Sequence, residues 1–419
     1  MTRASRAERE GDSVKIQSEI ISHAPAFSLG DAAATRGFGV PARRPPRTLR
    51  TPRLIHPLPT RPVPRTLSLP SARLSALDTW LRAAVPGRAF TLAPASSDAS
   101  FRRYFRVSFE DGSPSQIVMD APPEHENCAP FVTVATLLRT AGVNAPQVLA
   151  QDLAQGFLLL TDLGNTTYLA ALKADAGCAD ALYKDAAAAL IRFQLASQPG
   201  VLPAYERALL LREMQLLPEW YISKHKGFAL NDAQRNIIAQ SFETLLANNL
   251  AQPCVYVHRD YHSRNLMVCG DNPAEPPAHL MHQPLHNPGV LDFQDAVYGP
   301  ITYDLASLLK DAYIEWEEER VLDWVIRYWE AARKAGLPVP HAFDDFYRDF
   351  EWIGLQRHLK VLGIFARLYH RDGKDGYLKD LPLVMHYVRK VCGRYGVFVG
   401  LYRLLHEIEQ IETRAGYTF

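Results

Sequence analysis

Two short apolar runs bracket the stretch that most constrains this chain. Val255-Tyr-Val257 leads into His258-Arg-Asp260, four residues separate that aspartate from Asn265, and Leu266-Met-Val268 follows at once. Apolar, β-branched runs of this length read as strands, so residues 258–265 form a tight connection able to point Asp260 and Asn265 into one cleft. Further on, Val290-Leu291 ends in a second acid, Asp292. Phosphoryl transfer needs a carboxylate to accept the proton of an attacking hydroxyl, and oxygen ligands to hold magnesium against the phosphates. Magnesium is satisfied by one or two carboxylates plus substrate oxygens. Asp260 is therefore the candidate catalytic base, and Asn265 and Asp292 are the candidate metal ligands. The plainer alternative is a pair of strands whose turns carry capping acids.

The remaining pattern surrounds this element with two kinds of structure. Leu74, Leu77, Trp80, Leu81 and Ala84 recur at helical spacing and stop at Pro86-Gly87. Tyr104–Phe109 and Gln116–Met119 flank Asp111-Gly112, a hairpin signal. An amphipathic helix through Phe131, Val134, Leu137 and Leu138 precedes two more strand-like runs, Val148–Ala150 and Phe157–Leu160. Past Gly164 the chain reads as helix over 166–198, 204–250, 302–335, 341–370 and much of 380–412. The predicted architecture is α+β: a small antiparallel-sheet lobe over 73–163, then a larger, mostly helical lobe over 164–419.

Charge and cysteine usage exclude several classes. The 419 residues carry a formal net charge of +1, so whole-protein attraction to nucleic acid or a membrane surface is not expected. No apolar run reaches the ~18 residues of a membrane-spanning helix. The five cysteines are scattered and never spaced C-x-x-C, which argues for reduced thiols and a cytoplasmic protein. The neutral total hides an asymmetry: residues 1–73 hold thirteen Lys and Arg against five Asp and Glu, and ten of the thirty prolines precede residue 71. Residues 1–72 read as a disordered, basic Pro/Arg-rich extension.

The blocks Asp98-Ala-Ser-Phe-Arg-Arg-Tyr-Phe-Arg106, Val118-Met-Asp-Ala-Pro-Pro123, Gly156–Gly164, His258–Met267, Gly289–Leu308 and Gly354–Arg367 together carry a resemblance. The chain resembles the aminoglycoside phosphotransferase family, which has a bilobal protein-kinase-like fold. Within it the chain looks like the bacterial kinases that phosphorylate the anomeric hydroxyl of N-acetylmuramate and N-acetylglucosamine in cell-wall sugar recycling. The resemblance spans about 90–390. It implies ATP and Mg2+ as cofactors, a small-molecule sugar as partner, Asp260 as base, and Asn265 and Asp292 as metal ligands. It also implies that residues 97–106, with Ser97, Ser100, Arg102 and Arg103, cover the ATP phosphates. Residues 159–163, with Asp162 and Leu163, form the hinge facing adenine. Arg259, His262, Arg357 and His358 are candidate sugar contacts.

Two departures stand out. The strand that offers a phosphate-pairing lysine in the broader kinase pattern reads Ile117-Val-Met-Asp120, so Arg102 and Arg103 are candidates for the missing charge. Residues 270–288 make a long loop whose His279, His282 and His286 are better read as a solvated insertion than as metal ligands, given Pro284 and Pro288. The rival readings are another hydroxyl acceptor (an aminoglycoside, choline or homoserine), a non-catalytic nucleotide-binding protein, or a nucleic-acid or membrane-tethered module acting through the basic tail. Asp304, at the start of a helix, reads as a cap or a brace for the catalytic loop, and the tryptophans at 316, 324, 329 and 352 as helical core.

Overall fold

The computed structural model describes residues 71–97, 101–269 and 286–410. The proposed extension at 1–72 lies outside these, apart from its last two residues, and so do His279 and His282. The chain divides into two compact units, 1–79 and 80–419. Of the first, only 71–79 are described, as the opening turns of helix α1 (Ser71–Ala84).

In the second unit, five strands form one antiparallel sheet: β1 (Phe90–Ser97), β2 (Arg103–Phe109), β3 (Gln116–Asp120), β4 (Val148–Asp152) and β5 (Phe157–Thr161), in the order β1-β2-β3-β5-β4. The β2–β3 hairpin turns at Asp111-Gly112, where Gly112 takes φ +75°, a backbone glycine reaches without cost. β1 has no clear alternation in Phe-Thr-Leu-Ala-Pro-Ala-Ser-Ser, so the pattern does not predict it; pairing with β2 along its length makes it a strand. Helix α2 (Ala129–Thr140) connects β3 to β4, buries Phe131, Val134, Ala135 and Leu138, and stacks Phe131 on Phe293 at 4.7 Å.

The helical part begins with α3 (Tyr168–Ala174), α4 (Ala179–Leu195), α5 (Arg207–Met214), a π-helical segment Leu217–His225, and α6 (Asp232–Ala251). Strand β6 (Cys254–Val257) pairs with β9 (Val297–Pro300), and the two-residue strands β7 (Leu266–Met267) and β8 (Gly289–Val290) pair with each other. Then follow α7 (Tyr303–Leu309), α8 (Glu318–Ala335), α9 (Phe343–Asp372), α10 (Leu381–Arg394) and α11 (Val399–Ile408). The helix expected over 302–335 is two helices, because 310–317 runs irregularly around buried Asp311.

Helix α9 is the axis of this part. At 1.5 Å per residue its thirty residues run about 45 Å, with Leu355, Leu359 and Leu362 fully buried. Gly363 lets it meet the π-helical segment: a Cβ there would sit 2.3 Å from the Leu216 carbonyl carbon. Trp316 packs edge to face against Trp324 and Tyr183 beside α8, and Trp329 and Trp352 meet Phe343 and Phe398 edge to face; Trp324 and Trp329 are buried in the helical core, whereas Trp316 and Trp352 are half-buried at its margin.

Candidate active site

Two short pairings bring the expected site residues together. β6 delivers His258-Arg259-Asp260, and the β7–β8 pairing of Leu266 with Val290 sets Asn265 beside Leu291, whose N–H donates to the Asn265 carbonyl at 2.9 Å. The Asn265 Nδ2 then donates to the Asp260 carbonyl at 3.0 Å and to Asp292 Oδ2 at 3.3 Å. One amide thus ties the loop carrying Asp260 to the loop carrying Asp292. Because Nδ2 makes both bonds, Oδ1 is the atom left to accept. An amide oxygen and an adjacent carboxylate form an all-oxygen donor set suited to magnesium rather than to a thiolate- or imidazole-loving metal.

Both turns are held in costly backbone. Arg259 has φ +77° and Asp292 φ +61°, the left-handed region that costs a side-chain-bearing residue about 1–2 kcal/mol. Such geometry persists where surroundings over-determine it. Asp304, fully buried on α7, accepts the N–H of His258 at 2.6 Å and of Arg259 at 3.0 Å. That is the bracing role expected of it. Burial pushes its carboxyl up to about 7, even against those two donors. His258 links the two turns. Its Nδ1 accepts the Asp260 N–H at 3.2 Å, which fixes the proton on Nε2, facing the Leu291 carbonyl at 2.9 Å. Burial lowers its pKa to about 4, so the ring is neutral.

The Asp260 carboxylate is 41% exposed, with Arg357 Nη2 3.5 Å from its Oδ1. Partial desolvation by the surrounding protein opposes its ionisation, but Lys360, Arg357, His262 and Arg259 outweigh it and hold the carboxyl well below the ordinary range. Lys360 and Arg357 lie one turn apart on α9, both buried.

Several of the expected contacts are placed elsewhere. Arg259 points away from the cleft: its guanidinium pairs with buried Glu213 of α5 and donates to the Asp295 carbonyl at 3.3 Å. Lys360 shares that Glu213 at 3.1 Å, and the Tyr205 hydroxyl donates to it. His358 is buried against the Lys310 carbonyl at 2.8 Å and stacked on Tyr387 at 4.9 Å, on a different face of α9 from Arg357. His262 is buried edge-on to Tyr313 at 5.4 Å, next to the loop that carries Asp260.

On the sheet side, Arg102 pairs with Glu126 at 3.0 Å, and Arg103 pairs with Asp120, its direct cross-strand neighbour. Both side chains thus have carboxylate partners within the sheet lobe. Ser97 ends β1, paired with Arg103; its side chain and all of Ser100 lie outside the described residues. Asp162 is a latch: it accepts Arg106 Nε at 2.5 Å and Nη2 at 3.1 Å, Ser115 Oγ at 2.7 Å and the Gly164 N–H at 2.9 Å. The Asp162 side chain is thus engaged within the protein, and the Leu163 carbonyl accepts the Cys269 thiol at 3.3 Å. The counter-ion Glu213 and the latch pair Arg106–Asp162 escape sequence reading, because each joins partners more than forty residues apart. Lys360 was findable, three residues along the helix from Arg357.

The sequence profile of the phosphotransferase enzyme family matches residues 91–343. A Neisseria meningitidis protein named N-acetylmuramate/N-acetylglucosamine kinase is 52% identical over 348 residues, 82% of this chain and 98% of its own length. A Pseudomonas aeruginosa protein of the same name is 47% identical over 81% of this chain and 98% of its own. Among solved structures, one assigned as an aminoglycoside phosphotransferase from Ralstonia eutropha aligns with a TM-score of 0.50 at 14% identity, over 76% of this chain and 98% of that one. It shares the fold.

Proposed function

This chain belongs to the phosphotransferase enzyme family, and from that membership we infer that it is an ATP-dependent kinase of N-acetylmuramate and N-acetylglucosamine. We further propose that the hydroxyl it phosphorylates is the anomeric one, giving the sugar 1-phosphate. The observation that supports this mechanism is the shared amide of Asn265, which ties the Asp260 backbone carbonyl to the Asp292 carboxylate.

In this reading the sugar hydroxyl donates a hydrogen bond to Asp260. Its oxygen forms a bond to the γ-phosphorus as the bond from phosphorus to the β,γ-bridging oxygen breaks. The hydroxyl proton passes to the Asp260 carboxylate, and ADP leaves with the bridging oxygen. A carboxylate held below its ordinary pKa is a weak base. That suits a loose transition state, in which the proton is lost late and positioning does most of the work. It also suits an anomeric hydroxyl, which is more acidic than an ordinary alcohol. Arg357, beside Asp260, keeps that carboxylate charged and aimed. The Asp292 carboxylate and Asn265 Oδ1 would hold magnesium, which would supply charge neutralisation to the phosphates.

The test is incubation with ATP, magnesium and a panel of free amino sugars, amino alcohols and aminoglycosides, read by phosphorus NMR. A glycosyl phosphate from the two N-acetyl sugars is the expected signal. An ordinary phosphomonoester would refute the anomeric assignment, and transfer to an aminoglycoside alone would refute the sugar.

A further inference from the structure

The catalytic loop closes as a turn, with the Asn265 N–H donating to the His262 carbonyl at 2.9 Å. Its two middle residues part company. Ser263 faces inward, its N–H and hydroxyl donating to buried Asp311. Arg264 faces outward and is exposed. Its guanidinium lies 4.7 Å over the Tyr313 ring and 5.7 Å from that of Tyr377. Tyr313 in turn meets the ring of His262, two residues from Asp260. Arg264 therefore stands on the His262–Tyr313 side of the loop, while the neighbouring Asn265 turns to Asp260 and Asp292.

The cations that act on Asp260 are committed. Arg259 and Lys360 share Glu213, and Arg357 pairs with Asp260 itself. Among the described residues no carboxylate forms an ion pair with Arg264, though Asp380 lies within electrostatic reach. Its side chain also hydrogen-bonds Tyr313 and Tyr377, and a guanidinium has five N–H donors, more than those two contacts use, so part of its edge stays available to a planar acceptor. The two sugars differ in one charged group. N-acetylmuramate carries a lactyl ether ending in a carboxylate on C3, two carbons from the reacting C1, and N-acetylglucosamine has a bare hydroxyl there.

Resting on the kinase reading above, we propose that Arg264, shelved on Tyr313 and Tyr377, binds the lactyl carboxylate of N-acetylmuramate and so sets the preference between the two sugars. The experiment measures kcat/KM for both sugars, and for the neutral lactamide of N-acetylmuramate, with wild type, Arg264→Met and Arg264→Lys. A charge-assisted pair of this kind is worth about 10- to 100-fold. Arg264→Met is expected to cut the N-acetylmuramate to N-acetylglucosamine ratio by about that factor, with Arg264→Lys between. Wild type should prefer the acid to its amide, and Arg264→Met should lose that preference. Equal losses on both sugars, or an unchanged acid-to-amide ratio, would overturn the proposal while leaving the kinase intact. No turnover of either sugar by wild type would overturn both.

Discussion

Asp260 and the α7 carboxylate of Asp304 meet at one short stretch of backbone, residues 258–260, and are held in opposite states. Asp260, faced by Lys360, Arg357 and His262, stays ionised far into acid, so an acid limb in kcat above pH 5 is not expected to arise from it. Asp260→Asn keeps the shape and removes the acceptor. It should lower kcat by at least about a thousandfold, on the scale of base and positioning effects combined, while ATP affinity by calorimetry changes only a few-fold. Asp304 is the reverse case. Its carboxyl is pushed by burial from 3.8 up to about 7, so between about pH 4 and 7 the folded chain keeps a proton that the unfolded chain has released. Its contribution to stability therefore falls as pH rises through that window and is level above it. Asp304→Asn replaces one acceptor with an amide facing a backbone N–H, costing about 1–3 kcal/mol, and deletes this titration. The melting-temperature gap between wild type and variant should be wider at pH 5 than at pH 8; a gap that is constant or widens upward would contradict the assignment.

At the scale of elements, the connection after β5 is fastened through the side chain of Asp162. Asp162→Asn would halve the charge-assisted grip of Arg106 without touching Asp260. Its expected signature is an ATP KM raised about tenfold with kcat within about threefold, measured at saturating sugar. An unchanged KM would mean that the backbone holds its shape without the latch. The same element shows what a sequence can and cannot reveal. The hairpin at Asp111-Gly112, the strand Phe157–Thr161 and the pairing of Asn265 with Asp292 are legible because period, turn chemistry and residue type all act locally. What Asp162, Arg259 and His358 actually face is not legible. Each is decided by a partner far along the chain, and at residue 259 by a left-handed backbone angle that no arginine advertises. β1 was invisible for a related reason: its pairing with β2, not its own alternation, makes it a strand.

For the whole molecule, the comparison of lengths is informative. The Neisseria kinase is matched over 98% of itself by 82% of this chain, and the family profile lies within 91–343. From those lengths we propose that the kinase unit needs nothing before about residue 70. A chain beginning at Ser71 is expected to retain kcat/KM on both sugars within about twofold; a loss beyond tenfold would give residues 1–70 a part in the reaction.

The left-handed angle at Asp292 carries a consequence for anyone who would improve this protein. Glycine reaches φ +61° without penalty, so heat-based selection for hardier variants would reward it at 292. On the role proposed for Asp292, such winners would shed backbone strain at the loss of the carboxylate that accepts from Asn265 and Gln294, and with it turnover. Breeding for robustness here must score turnover in every round.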